Sequence, residues 1–212
     1  MTRGVAVLRP EPGNAATAAR VEALGLRPIR LPLFAVRSLE WQVPDPARFD
    51  GLLLTSANAV RHAGAGIAAL AGLPVVAVGE ATARAARDAG LTVETVGSGD
   101  VAEAVAASGR GLLLHLCGRE HVAHGGDAVA VYAAEVLPVD SVAHLVGCVA
   151  LIHSVRAARR LSELARRDGI VDFRVATISE AARIAGPDVP GAVTDRPDDA
   201  ALVALAARLA AD

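Results

Sequence analysis

Small and hydroxyl-bearing residues recur where an apolar run of the sequence gives way to a helical one. They are Thr55, Ser56, Asn58, Gly79, Thr82, Ser154 and Ser179. Ser, Thr and Asn cap helices, and a capping role alone accounts for any one of these residues. Helix N-termini also carry free N–H groups that bind anions, so several such termini facing one cleft would make a multi-point anion site. We therefore treat the whole set as candidate ligand-binding residues.

Two further residues add a cation and a proton donor. Arg9 directly follows an apolar run at 5–8 and is the best candidate cation, although most arginines are simply exposed. Tyr132 is the only tyrosine and lies in the apolar run 129–137. Its phenol can donate a proton or a hydrogen bond to a ligand. A packing tyrosine with its hydroxyl at the surface is an equally good interpretation.

Composition excludes several classes of protein. The chain has 212 residues, of which 53% are hydrophobic and 2% aromatic, so a core of Ala, Val and Leu is expected and a disordered chain is excluded. A net charge of −2 lacks the excess of positive charge that is typical of proteins that bind nucleic acid or a membrane surface. All 21 basic residues are arginine, which excludes Schiff-base chemistry and a Walker-type phosphate lysine from this chain.

Targeting and metal-binding signals are weak. The first residues lack the apolar segment of a secretion signal, and the longest apolar stretch, 128–134, is too short to span a bilayer. We expect a cytoplasmic protein. His115, Cys117, His121 and His124 place four zinc-type ligands within ten residues, but their spacing fits no structural zinc pattern. No dinucleotide or nucleophile-elbow motif is present. We expect no metal and no cofactor.

Apolar runs and helical runs alternate along the chain. The predicted strands cover 5–8, 28–33, 52–55, 75–78, 92–96, 112–116, 129–137, 149–152, 174–178 and 191–194. Several of them are continuously apolar, which is typical of a parallel sheet covered on both faces. Helices predicted at 15–24, 80–89 and 154–168 each stop at a glycine. The pattern predicts an α/β fold with doubly wound parallel sheets.

An internal repeat predicts two similar lobes. Residues 52–90 resemble 149–186, with Thr55-Ser56 opposite His153-Ser154 and Gly79 opposite Ser179, at an offset of 98 to 100 residues. The strands near 28–36 and 129–137 are interpreted as crossings, so that the chain starts in lobe one, builds lobe two and returns. A cleft between lobes is a common ligand site, and ligands bind beyond the carboxyl ends of parallel strands.

The chain resembles the uroporphyrinogen-III synthase family. The matching segments, in order, are VLRP at 7–10, ALG at 23–25, LPL at 31–33, LTSANAV at 54–60, AVGEATA at 77–83, AGL at 89–91, VY at 131–132, Ser154, and ISEAA at 178–182. Each segment is short, and their order and spacing together carry the resemblance over nearly the whole chain. The resemblance implies two α/β lobes joined by a two-stranded linker. The expected boundaries are 1–33 with 141–212 for lobe one, 45–127 for lobe two, and 34–44 with 128–140 for the linker.

The resemblance also implies a cofactor-independent cyclising lyase. Its substrate would be hydroxymethylbilane, closed to uroporphyrinogen III with inversion of ring D and loss of water. Tyr132 would be the proton donor, Thr55, Ser56, Thr82 and Ser154 the substrate-binding hydroxyls, and Arg9 the arginine near the family's N-terminus. We expect a monomer, with transient contact with the preceding enzyme of the pathway, and neither nucleic acid nor membrane as partner.

Two departures from the family pattern leave an alternative open. Many members carry Gly and Thr where this chain has Ser179 and Ala182, so one hydroxyl is missing. The segment 117–128 is short and glycine-rich where members usually have a helix. The alternative is a non-catalytic bilobed α/β protein that binds a tetrapyrrole or another polyanion. A regulatory module beside a response regulator is less favoured, because no acidic phosphorylation pocket follows the strands.

Overall fold

The computed structural model describes residues 3–124 and 126–211. Its contacts divide the chain into two compact units: Met1–Ala35 with Val136–Asp212, here called the first unit, and Val36–Glu135, the second unit. Across the described residues, none of the helices is both long enough and apolar enough to cross a membrane.

The strands and helices alternate along both units. The strands are β1 Val5–Val7, β2 Pro28–Arg30, β3 Phe34–Ser38, β4 Gly51–Leu54, β5 Val75–Ala77, β6 Val93–Val96, β7 Leu113–Gly118, β8 Asp127–Val136, β9 Val149–Ile152, β10 Arg174–Thr177 and β11 Gly191–Val193. The α-helices are α1 Gly13–Ala23, α2 Ala57–His62, α3 Glu80–Asp88, α4 Val101–Ser108, α5 Val155–Asp168, α6 Glu180–Ala185 and α7 Asp199–Ala211. Short 3₁₀ segments occupy Pro46–Arg48, Gly64–Leu70 and Ala143–Leu145. The prediction of an α/β fold with parallel sheets is confirmed.

The first unit is built on a five-stranded sheet in the order β11-β10-β9-β1-β2, with every neighbouring pair parallel. Successive residues of a strand point to opposite faces. Val5, Val7 and Leu151 therefore pack on one face with residues of α1 and α7. Ala6 and Ala150 point to the other face and are also fully buried. Burial of both faces explains why these strands are apolar at every position.

The second unit is built on a six-stranded sheet in the order β3-β8-β7-β4-β5-β6. The pairs among β4 to β8 are parallel. Leu52 and Leu54 of β4 pack on one face with residues of α2 and α3. Leu53, between them in the sequence, packs on the opposite face against Ala104 of α4. This sheet is also covered on both sides.

Three local features add to the sequence expectations. Strands β3 and β8, which overlap the segments assigned to the linker at 34–44 and 128–140, lie next to each other at one end of the six-stranded sheet. Helix α4 was not anticipated, although its start signal is present: the Asp100 side chain accepts from the Glu103 N–H, and Gly109 ends the helix at φ 61°. The described residues 119–124 contain no helix.

Candidate functional site

The candidate residues of the first unit lie beyond the carboxyl ends of three adjacent strands. Arg9 follows β1, Ser154 follows β9 and Ser179 follows β10. These strands are neighbours and parallel, so the three residues are placed at one edge of the five-stranded sheet. That edge is where open α/β sheets bind ligands.

Both serines at this edge cap helices. Ser154 Oγ accepts a hydrogen bond from the Ala157 N–H at 3.1 Å, and Ser179 Oγ accepts from the Ala182 N–H at 3.3 Å. A hydroxyl that accepts a hydrogen bond still has its own hydrogen to donate. Capping therefore fixes the position of each oxygen and leaves its O–H able to bind an anion.

Arg9 is part of an ion-pair network centred on Asp199. Asp199 Oδ1 accepts from Thr17 Oγ1 at 2.7 Å, from His153 Nε2 at 2.7 Å and from Arg9 Nη1 at 3.3 Å. Its Oδ2 accepts from Arg20 Nη1 at 2.5 Å. The Arg9 side chain remains 34% exposed. With two arginines, one carboxylate and a neutral histidine, the network keeps a net positive charge beside the sheet edge.

Burial and hydrogen bonding act against each other in this network. Burial alone would raise the pKa of Asp199, but the hydrogen bonds from His153 and Thr17, together with the charge of Arg9, hold that pKa below its usual range. For His153, burial outweighs the bond to Asp199 and lowers the pKa. His153 is therefore neutral at pH 7 and donates its Nε2–H to the carboxylate.

The candidate residues of the second unit follow β4 and β5, which are also adjacent and parallel. Ser56 caps α2, its Oγ accepting from the Asn58 N–H at 3.2 Å. Gly79 is the N-cap of α3 and has no side chain to accept from the first N–H groups of that helix. Thr82, in the first turn of α3, is only 7% exposed. Thr55, Ser56, Asn58 and Gly79 are half-buried and more accessible than Thr82.

Tyr132 lies in β8 directly against Gly118 of β7. The two residues are paired in the sheet, and a Cβ atom built on Gly118 would lie 2.8 Å from Tyr132 Cζ. The centroid of the His62 ring lies 6.1 Å from that of Tyr132, and the two ring planes are tilted by 38°. His62 Nδ1 in turn lies 3.1 Å from Ser38 Oγ. Burial, with a smaller effect from Arg61, lowers the pKa of His62. The phenol is thus held by a close glycine contact beside a neutral imidazole.

Thr55 is hydrogen-bonded to His115, a residue of the central strand β7. Thr55 Oγ1 lies 3.0 Å from His115 Nε2, and His115 is 3% exposed. Burial, followed by the charges of His124 and His121, lowers the pKa of His115 to about 4, so the ring is neutral at pH 7. Its Nδ1 atom has no hydrogen-bond partner among the described residues.

The remaining zinc-type side chains do not assemble into a metal site. The rings of His121 and His124 lie 5.6 Å and 5.4 Å from that of His115, and Cys117 is buried with a raised thiol pKa. Within residues 3–124 and 126–211, no group of three His, Cys, Asp or Glu side chains is arranged to hold a metal ion.

Sequence reasoning singled out neither Asp199 nor the partners of Thr55 and Tyr132. The sequence indicates His115 only as a zinc-type ligand, and no pattern in it points to Asp199. The available signals were the position of His153 directly after the apolar run 149–152 and that of His115 within the run 112–116. Their hydrogen-bond partners are distant in the sequence and depend on the order of strands.

Comparisons with known proteins bear on the family and the fold of this chain. A family model described as uroporphyrinogen-III synthase HemD matches residues 15–124. The solved uroporphyrinogen-III synthetase of Helicobacter pylori 26695 is similar with a TM-score of 0.69 and 17% identity, over 98% of this chain and 99% of that one. A mutant uroporphyrinogen III synthase of Thermus thermophilus gives a TM-score of 0.56 and 18% identity, over 95% of this chain and 96% of that one. No curated protein sequence matches.

At 17–18% sequence identity the two solved structures establish only the fold. The family model covers more than half of the chain and therefore establishes the family. The strand-end hydroxyls and Tyr132 were carried over from the same family on sequence grounds. The chain belongs to the uroporphyrinogen-III synthase family, the cofactor-independent cyclising lyases of tetrapyrrole biosynthesis.

Proposed function

We propose that this chain converts hydroxymethylbilane to uroporphyrinogen III, with Tyr132 as proton donor and the strand-end residues as substrate anchors. The observation that carries the proposal is the placement of Tyr132. Its ring is fixed against Gly118, in the strand β7 that lies beside β4, and Thr55 and Ser56 follow β4. Tyr132 and the hydroxyls of Thr55 and Ser56 thus lie at the same edge of one sheet, which supports the roles of proton donor and substrate anchor proposed for them.

The substrate's eight carboxylates explain the kind of donors present. Ser56, Ser154 and Ser179 offer hydroxyl hydrogens after capping their helices, Thr55 and Asn58 offer polar side chains, and Gly79 leaves N–H groups at the start of α3. Arg9 supplies charge as part of the Asp199 network. Many weak, fixed donors suit a flexible polyanion, because each ordered arm lowers the entropy cost of the reactive conformation.

The reaction begins with loss of the ring A hydroxyl. Tyr132 donates its proton to that hydroxyl, which leaves as water, and the substrate becomes an azafulvenium cation. The substituted α-carbon of ring D attacks this cation and forms a spiro-pyrrolenine. The bond between that carbon and the methylene bridge to ring C then breaks, which leaves a second azafulvenium cation on ring C. The other α-carbon of ring D attacks this cation and loses a proton, which can return to the phenolate. Acid assistance of this type contributes about 10² to 10⁴-fold to a rate.

Binding must also prevent the simpler closure. Unaided, the ends of the substrate join without inversion and give the type I isomer. Held carboxylates fix the arms so that the substituted carbon of ring D reaches the cation first. Positioning is thus the main contribution of the protein, and Tyr132 adds the chemical step. From the family resemblance we further propose that the enzyme works as a monomer in the cytoplasm.

Product isomers test this function directly. Purified protein is given fresh hydroxymethylbilane, and the type I and type III products are separated after oxidation. We expect type III product, formed faster than the unaided closure, and a lower rate for Tyr132→Phe with the same melting temperature. Type I product alone, at the unaided rate, would refute the proposal. If uroporphyrinogen still raised the melting temperature in that case, the result would favour the non-catalytic binding alternative.

A further inference from the structure

The two nitrogens of His115 have unequal surroundings. Nε2 lies 3.0 Å from Thr55 Oγ1, whereas Nδ1 is buried without a hydrogen-bond partner among the described residues. The imidazole is neutral, because burial lowers its pKa to about 4. A neutral imidazole carries one N–H donor and one acceptor nitrogen, so the ring must place its single hydrogen on one of these two atoms.

The surroundings select one tautomer. With hydrogen on Nδ1, a buried N–H donor would have no acceptor, and Thr55 would have to donate to Nε2. With hydrogen on Nε2, the ring donates to Thr55 Oγ1, and only an acceptor lone pair at Nδ1 is left unpaired. Orphaned buried N–H donors are rarer in proteins than under-satisfied acceptors. The Nε2–H tautomer is therefore the favoured one.

This tautomer fixes what Thr55 can do. An oxygen that accepts from His115 cannot also point its own hydrogen along the same line. The Thr55 O–H must therefore point elsewhere, and Thr55 is half-buried beyond the end of β4, so the hydrogen is available to an incoming acceptor. The other tautomer would instead consume this hydrogen in a bond to the ring.

We infer that His115 is a positioning residue that donates its Nε2–H to Thr55 and so turns the Thr55 hydroxyl into a dedicated donor for a substrate carboxylate. The inference rests on the proposed role of Thr55 in binding the substrate. His115 itself, 3% exposed on the central strand β7, does not touch the ligand. It acts through Thr55, and its effect belongs to the binding of one carboxylate arm.

A double-mutant cycle separates this role from a purely structural one. Thr55→Val removes the hydroxyl and keeps the shape of the side chain; a lost hydrogen bond to a charged group should raise KM about 10-fold or more. His115→Leu removes the donor, and we expect KM to rise about 5-fold with kcat nearly unchanged, since a misdirected hydroxyl keeps part of its binding. In the Thr55→Val background, His115→Leu should raise KM no further. His115→Gln, whose amide nitrogen can replace Nε2 as donor, should restore most of the wild-type KM.

The tautomer is measurable without any activity assay. Long-range ¹H–¹⁵N spectra of the wild-type protein at pH 7 show which imidazole nitrogen carries the hydrogen. We expect Nε2, and a proton on Nδ1 would overturn the inference whether or not the variants fold. The inference would also be overturned if His115→Leu left KM unchanged, or if it raised KM in the Thr55→Val background as much as in the wild-type protein. Failure of the proposed function is a different result, because the wild-type protein would then yield only type I product.

Discussion

Gly118 is the residue through which the position of Tyr132 can be changed without touching its hydroxyl. A Cβ atom at Gly118 would lie 2.8 Å from Tyr132 Cζ, 2.9 Å from Cε2 and 3.1 Å from the phenolic oxygen. Ordinary van der Waals contacts begin near 3.4 Å. Gly118→Ala should therefore push the ring away by about 0.6 Å, the difference between the ordinary contact and the 2.8 Å approach.

The expected cost follows from that displacement. A shift of about 1 Å in a reacting group can lower a rate about 10²-fold, so a shift of about 0.6 Å should lower kcat about 10-fold. Tyr132→Phe removes the proton and should lower kcat by about 10² to 10⁴-fold. If Gly118→Ala acts by moving the phenol, most of its cost in kcat should disappear when it is combined with Tyr132→Phe.

The assay is the initial rate of type III formation, with the type I fraction recorded at the same time. Gly72→Ala is the matched control, because a Cβ atom there meets nothing within 4 Å. It should leave both the rate and the isomer ratio unchanged. A Gly118→Ala protein that folds normally and keeps the wild-type kcat would refute the reasoning. A cost of the same size in the Tyr132→Phe background would show that the glycine acts on something other than the phenol.

Three further predictions concern stability. Asp199→Asn should lower the free energy of unfolding in urea at pH 7 by about 2 kcal/mol, because it removes the carboxylate that pairs with two arginines. A change below about 0.5 kcal/mol would show that this network does not stabilise the fold. The pKa of His115 is about 4 in the folded state and 6.5 in the unfolded state, so the unfolded state binds the proton more strongly. The free energy of unfolding should therefore fall as the pH is lowered from 7, by about 3 kcal/mol at pH 4. His115→Gln should not show this fall. If the difference in free energy of unfolding between the wild-type protein and His115→Gln does not change with pH, the predicted contribution of His115 is refuted. Ser154→Ala should cost about 1 kcal/mol through the cap of α5; if KM is unaffected, Ser154 has only a capping role.

The sequence predicts those parts of the fold that depend on local pattern. The buried strands β4 and β9 are apolar at every position, and the hydroxyls that cap α2 and α5 stand directly before their helices. Residues that are close together in the sequence are enough to determine such features. The α/β fold with parallel sheets was therefore predictable, as were the strand ends that carry the candidate residues.

Features that depend on strand order were not predictable. Whether β3 and β8 join a sheet or form a separate linker depends on backbone hydrogen bonds between distant segments. The Thr55–His115 pair arises because β4 and β7 are neighbours, with Leu53 in register with His115. Likewise, Asp199 meets His153 only because α7 packs against the sheet that contains β9. No periodicity in the sequence indicates such pairs.

The first unit's sheet joins residues from both parts of the chain, since Val5 of β1 pairs with Val149 of β9. The second unit, in contrast, is one continuous stretch, Val36–Glu135. During synthesis on the ribosome, the whole of that stretch emerges before β9 does. Strands β1 and β2 with helix α1 alone make a single βαβ unit, whose two-stranded sheet has too little apolar contact to persist. We therefore expect the second unit to fold first during synthesis, while β1 and β2 stay unfolded until β9 has emerged.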